Sequence, residues 1–391
     1  MDIDAEMVEE WGGELRVVST RLSRYFVRSE PRQRVVTYIR GLLSAVPRKN
    51  GWQLAEQAGE GRPDGMQRLL STSVWSADDV RDELQAYIVE GLGATDGVLV
   101  IDESGFLKQG MHSAGVKRQY SGTAGRVANC QIGVFVAYGS SRGHALLDRA
   151  LYLPREGADD RDRCRQAGIP DDVQFATKPA LGRGMLERAG RHGVPFAWVT
   201  GDTIYGGDRN LRLWLEEQHM PFVLAVAKDE PLWCQFRQVR AAELAKAIPD
   251  EGWQRLSCGD GAKGPRLYDW ALVPLPRYMQ PTEILHALLV RRSLSDGELA
   301  YYVVFAPADT TLQTVVNVAG QRWTVDECFE LAKDEVGLDQ YEVRHWTGWY
   351  RHITLAMWAL AFLTVTRAQT VQLQAQKKAA ALVGDAAALG L

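Results

Sequence analysis

VLVIDESG (98–105) runs four apolar residues, three of them β-branched, into two adjacent carboxylates and then a serine and a glycine. A short apolar, β-branched run bounded by turn residues reads as a buried strand. Asp102 is therefore expected where the strand VLVID (98–102) ends, with its carboxylate aimed at a turn. A lone strand-end aspartate is ordinarily a turn former or a helix cap. The rest of the chain decides whether this one has partners.

Downstream, the strand-like runs are CQIGVFVAYG (130–139) and HALLDRALYLP (144–154). A helical segment PALGRGMLERAGRHG (179–193) leads to strand PFAWVTGD (195–202). Helix DRNLRLWLEEQH (208–219) then precedes strand PFVLAVAKD (221–229). Three consecutive strands followed by αβ alternation predict a mixed sheet with crossover helices. In such a sheet the first strand and the first strand after the helix can lie side by side. Asp102 and Asp202, each at a strand end, then converge. Glu103 has the opposite side-chain direction if the strand continues, and its expected role is structural.

A third acid comes from QRWTVDECFELAKDEVGLDQYEVR (321–344), read as one helix. At about 100° per residue, Val325, Cys328, Phe329, Ala332 and Val336 form the buried stripe. Arg322, Asp326 and Lys333 line one border of that stripe, within reach of a cleft at the sheet edge. Glu327 points about 100° further round, away from the core. An ordinary salt-bridged surface helix is the alternative for this segment.

Around this centre, residues 1–92 read as helical, with apolar residues at three- and four-residue spacing. GWQLAEQAG (51–59) and DGMQRLLSTSVW (64–75) are spaced as a loose helix-turn-helix. RLYDWALVPLP (266–276), HALLVRRSL (286–294) and ELAYYVVFAP (298–307) make residues 236–312 a β-rich insertion. Helices resume and run to 368. ITLAMWALAFLTV (353–365) is shorter than the roughly 20 residues that span a bilayer and reads as a buried core helix. The Ala- and Gln-rich tail, 369–391, reads as a loose helix or frayed end.

The 391-residue chain has an ordinary globular composition and a formal charge of −4. That balance hides an asymmetry: residues 21–50 hold eight basic residues, Arg28, Arg32 and Arg34 among them, against one acid, Glu30. Such a local basic face is the electrostatic footprint of a nucleic-acid partner. Five scattered cysteines form no CxxC pair, which predicts a reducing compartment and no zinc site. The N-terminus MDIDAEMVEE has no signal-peptide pattern. The expectation is a cytoplasmic protein without membrane association, nucleoid-associated when bound to DNA.

With these residues in view, the chain resembles the IS4-related DDE transposases, and most closely the IS701 family of bacterial insertion sequences. The likeness is carried by YFVRSEPRQRVVTYIRGLLSAVPRKNGWQLAE (25–56) and VLVIDESGFLKQGMHSAGVKRQYSGTAGRVANCQIGVFVAYG (98–139). It continues in WVTGDTIYG (198–206) and RWTVDECFELAKDEVGLDQYEVRHWTGWYRHITLAM (322–357). The resemblance implies an RNase H-like core in which two aspartates and a glutamate bind divalent metal, interrupted by a β-rich insertion. It also implies a Tyr-x2-Arg-x3-Glu-x6-Lys signature on the last catalytic helix. Arg322 and Lys333 match that signature, whereas Ala319 stands at the tyrosine position and Asp326 at the glutamate position.

The implied organisation is an N-terminal helical DNA-binding domain (1–92), a catalytic core (93–235 and 313–368) and the insertion (236–312). The implied site is Asp102, Asp202 and Asp326, with Glu327 as the alternative third acid. It would hold Mg²⁺ or Mn²⁺, two ions as the chemistry of phosphodiester cutting favours. Arg28, Arg32, Arg34, Lys117, Arg118, Arg126, Arg322 and Lys333 are the expected DNA contacts. Trp253 and Trp270 are candidates for stacking on an unpaired base, with core packing as the alternative. His345 and His352 are expected in packing or phosphate contacts.

The expected partners are double-stranded DNA, both the terminal inverted repeats and the target, and a second copy of the chain on DNA. A domesticated, catalytically impaired DNA-binding protein and a metal-dependent nuclease without strand transfer are the alternative functions.

Overall fold

The computed structural model describes residues 5–261, 264–276 and 282–388. Residues 1–4 and 389–391, at the ends of the expected N-terminal domain and tail, lie outside the described residues, as do 262–263 and 277–281 within the expected insertion. The amino-terminal part is helical as expected: α1 (Ala5–Ser23), α2 (Ser29–Leu42), α3 (Gly51–Gln57), α4 (Asp64–Leu70) and α5 (Ala77–Leu92). Asn50 and Ser76 cap α3 and α5 by accepting from backbone N–H groups of the first turn.

The core begins with β1 (Val98–Leu107), β2 (Lys117–Ser121), β3 (Arg126–Ser140) and β4 (Gly143–Tyr152). Helices α6 (Arg155–Asp159), α7 (Arg161–Gln166) and α8 (Lys178–Arg191) follow. Then come β5 (Trp198–Gly201), α9 (Thr203–Gly206), α10 (Arg209–Glu217) and β6 (Phe222–Val226). The β-rich segment supplies β7 (Pro231–Cys234), β8 (Arg237–Arg240), α11 (Ala241–Lys246), β9 (Gln254–Gly261), β10 (Gly264–Pro274), β11 (Ile284–Arg292) and β12 (Leu299–Pro307). Helices α12 (Leu312–Gln321), α13 (Trp323–Asp334) and α14 (Trp346–Ala388) complete the chain.

Ten strands form one mixed sheet in the order β2-β3-β1-β5-β6-β12-β11-β10-β9, with β4 on the edge of β3. β1 pairs in parallel with β5, and β5 with β6, as a crossover through α8 requires. The strands of the β-rich segment extend this same sheet through the β6–β12 pair. The β7–β8 hairpin stands apart from it.

Some readings change and others are sharpened. β1 does not end at Asp102: antiparallel pairing with the longer β3 carries it through Leu107, opposite Cys130. Gly105 marks a close approach within the strand and not a turn, since a Cβ there would collide with Ser121 on β2. The segment 115–126, which carries Lys117, Arg118 and Arg126, contains β2 and closes a hairpin onto β3. The expected helix over 321–344 ends at Asp334, where Gly337 takes a positive φ of 65° and Leu338 N–H bonds back to the Ala332 carbonyl. Of the two readings of the tail, the helical one holds as far as Ala388, where α14 ends, and its Thr370 hydroxyl accepts from Trp11 Nε1 at 3.0 Å.

α14 is the pillar of the molecule. Ile353 to Phe362 are buried almost without exception, as an all-round apolar helix demands. On it Tyr38 of α2 bonds His352 at 2.8 Å, Trp358 donates to the Val80 carbonyl at 2.9 Å, and the Arg351 guanidinium gathers carbonyls of Leu69, Ser71, Ser73 and Trp75. The amino-terminal helices are thereby welded to the core. α13 packs on the same face of the sheet, where Phe329 meets Phe135 of β3 at 5.3 Å. α8 covers the opposite face, its Gly182 against Ile101. Among the described residues no helix is long and apolar enough to cross a membrane.

Candidate active site

The parallel ladder between β1 and β5 runs from Val98–Trp198 to Ile101–Gly201 and stops. Asp102 and Asp202 are the next residue on each side. Asp102 stays in β1, opposite Phe135. That places it on the α13 face, because Phe135 touches Phe329 of α13. Asp202 leaves β5 and caps α9, its Oδ1 accepting from Ile204 N–H at 2.9 Å.

Asp102 accepts the backbone N–H of Glu103 at 2.7 Å. Burial, then the neighbouring Asp202 carboxylate, with smaller contributions from Glu103 and Asp326, push its carboxyl up to about 8. Asp202 is also raised, by burial and by Glu103, against the opposing pull of backbone N–H groups and Arg322. Asp326, in the first turn of α13, is raised by partial burial and Glu327, and Arg322 opposes this. The structure thus brings Asp102 and Asp202 together, with Asp326 and Arg322 near enough to act on them.

Glu327 turns the other way, as the helical count required. It is exposed and faces His144, at the start of β4, at 3.7 Å. Glu103 is also paired, with Lys178 at 2.6 Å. Among the described residues, none of the three aspartates makes an ion pair of its own.

Hard carboxylate oxygens, half-buried at Asp102 and Asp202 and exposed at Asp326, with the Arg322 charge near the latter two, are the donor set that suits a divalent cation of the Mg²⁺ type. Among the described residues no three His, Cys, Asp or Glu side chains are gathered closely enough to hold an ion as they stand.

The basic residues divide into two kinds. Lys333 donates to Thr123 Oγ1 at 3.0 Å, so the β2–β3 turn lies against the end of α13. Arg118 and Arg126 are exposed on that hairpin, while Lys117 pairs with Glu156 at 2.7 Å. On α2, Arg32 donates to the Phe26 carbonyl at 3.0 and 3.2 Å, and Arg34 pairs with Glu60 while lying against Gly65. Arg28, at the N-cap of α2, is exposed beside Arg68 in a groove of about 410 Å³.

Of the remaining candidates, Trp270 is fully buried in the sheet's core, which rules out base stacking in this fold. Trp253 is half-buried under the Arg292 guanidinium at 4.2 Å. His352 is buried between Tyr38 and the Gly337 carbonyl, and burial pulls its imidazole down to about 4. His345 packs beside Gly168. Lys178 and Tyr205, which both bond Glu103, were not singled out by the sequence. The signal available was strand alternation, which sends Glu103 to the α8 face.

Residues 21–249 match the family described as DDE superfamily endonuclease, a span that includes Asp102 and Asp202 and ends before Asp326. The chain is also similar to a protein of Microchaete diplosiphon described as a probable transposase for insertion sequence element IS701. The two are 24% identical over 314 residues, which is 78% of this chain and 75% of the relative.

Proposed function

The chain belongs to the DDE superfamily of endonucleases and is a DDE-type transposase, and on that premise we propose that it binds the terminal inverted repeats of an insertion sequence, cuts there and joins the end to target DNA. The observation that carries this reading is the meeting of Asp102 and Asp202 one step past the β1–β5 ladder, both partly out of water, with Asp326 of α13 near enough to act on Asp102.

In this proposal Asp102, Asp202 and Asp326 would hold the Mg²⁺ or Mn²⁺ ions, two as phosphodiester cutting favours. Bound there, the ions supply Lewis-acid stabilisation of the scissile phosphate and ease deprotonation of the attacking water or 3′-hydroxyl. The chain's own groups do the rest. Arg322, whose charge is felt by both Asp202 and Asp326, offers a planar fork to a flanking phosphate. Lys333 and the exposed Arg118 and Arg126 form a basic rim along the β2–β3 hairpin, where a backbone can be positioned. Lys117, at the foot of the same hairpin, joins the rim when Glu156 releases it. Arg28 extends the contact onto the amino-terminal helices. Two copies of the chain assemble on DNA, one for each end.

Cleavage of end DNA in Mg²⁺ by the Asp102→Ala variant tests the assignment. Cutting is expected to fall below detection while end binding persists, because the acids hold ions and do not grip DNA. Retained Mg²⁺-dependent cutting would sink the assigned site. One observation favours a second reading: the shorter Asp326, with no three acids gathered, suits a domesticated end-binding protein. A wild-type chain that binds ends and never cuts would select it. Cutting without joining would select a nuclease.

A further inference from the structure

Glu103 follows Asp102 directly and faces the opposite side of the sheet. There Oε1 accepts from Lys178 Nζ at 2.6 Å and Oε2 accepts from Tyr205 Oη at 2.8 Å. Tyr205 is fully buried in α9, three residues after Asp202. The α9 turn is itself pinned. Gly206 N–H donates to the Asp202 carbonyl at 2.8 Å, and Gly206 lies so close to the Ala225 carbonyl that any side chain there would collide.

Beyond Ile101 and Gly201 the two chains part, β1 running on and the other turning into α9. No ladder hydrogen bond therefore sets the spacing of Asp102 and Asp202. The Tyr205–Glu103 bond spans that gap from beneath. We infer that Glu103 and Tyr205 are positioning residues that hold Asp102 and Asp202 at the separation a divalent cation needs, with Lys178 offsetting the Glu103 charge. The inference rests on the metal role proposed above for the two aspartates. A carboxylate placed beside two others is electrostatically unfavourable, so its presence calls for a return, and the bond to Tyr205 supplies one. Side chains that orient metal ligands from outside typically change metal affinity by about 10- to 100-fold when altered.

The test uses the full chain and Mn²⁺ as the probe, with free Mn²⁺ followed by electron paramagnetic resonance and melting measured in parallel in EDTA. Wild type, Asp102→Asn, Tyr205→Phe, Glu103→Gln and the double variant are compared. Tyr205→Phe and Glu103→Gln are each expected to weaken Mn²⁺ binding about tenfold. The double variant should be no weaker than the worse single one, since both act on the same contact: Tyr205→Phe removes the donor, and Glu103→Gln leaves only a neutral, weaker acceptor. Tyr205→Phe deletes one oxygen and decides the matter if Glu103→Gln does not fold. A lower melting temperature with unchanged Mn²⁺ affinity would make the bond merely structural and overturn the inference. If Asp102→Asn alone loses Mn²⁺, the metal assignment survives that failure. If Asp102→Asn binds Mn²⁺ like wild type, the assignment itself fails, and the inference with it.

Discussion

Asp148 on β4 and Asp102 on β1 are both taken out of water, and their surroundings differ in kind. Asp148, with a side chain only 1% exposed, accepts from Arg188 Nε at 2.9 Å and lies 3.4 Å from Arg81 and 3.7 Å from Arg149. Arg149 in turn reaches Asp78 at 3.0 Å and Thr354 of α14 at 3.0 Å. This seam joins α5, α8, α14 and the sheet, and every charge in it has a partner. Around Asp102 the nearest charges are other acids. Buried charge that is paired holds a fold together, whereas buried charge of one sign, left unpaired, is held ready for a ligand of the other sign.

The largest contrast is expected on the acidic side. Asp326→Ala should eliminate strand cleavage, whereas Glu327→Ala, whose side chain faces His144, should cost less than about tenfold, or about 1.4 kcal/mol of barrier. Asp326→Glu is expected to preserve or raise activity. Single-turnover cleavage of end DNA reads all three, and an essential Glu327 beside a dispensable Asp326 would break the assignment.

Stability should show the opposite pattern. Asp148→Ala leaves three arginines facing an empty place, a loss on the order of 3–5 kcal/mol by denaturant unfolding. Asp102→Asn should instead stabilise the metal-free protein in a pH-dependent way. The folded chain keeps the Asp102 proton up to about 8, while an unfolded aspartate loses it near about 4. The folded state therefore binds more protons in that window, and its stability falls as pH rises through it. Melting in EDTA at several pH values should show this fall in wild type and a flatter profile in Asp102→Asn. Parallel profiles would place the unpaired charge elsewhere.

The smallest effects concern the basic residues of α2, where the same distinction applies. Arg28→Ala should reduce the salt slope of DNA binding by nearly one, because its outward guanidinium is available to a phosphate. Arg34→Ala should act on stability first, since its partner is Glu60. A loss of salt slope from Arg34→Ala with unchanged melting would show that the pair opens on DNA.

Much of the molecule was legible in the chain because periodicity reports local geometry. The stripe Val325, Cys328, Phe329, Ala332 is buried as counted, and Glu327 points away from the cleft as 100° per residue dictates. The convergence of Asp102 and Asp202 followed from the β-β-β-α-β order, since a crossover helix returns the chain parallel to its starting strand. Charge counting was less informative. It showed that arginine is dense between 21 and 50, and did not show which of those arginines are spent inside the fold.

The sequence by itself determined the helical amino-terminal part, the mixed sheet, the buried α14 and the residues that stand one step past the β1 and β5 ladder. Only the tertiary structure decided that β1 runs on past Asp102, that Glu103 is clamped by Tyr205, and that Arg34 is held by Glu60. Those contacts join residues far apart along the chain. Patterns of 2 or 3.6 residues tell which way a side chain faces, and only the packed fold settles what it meets there.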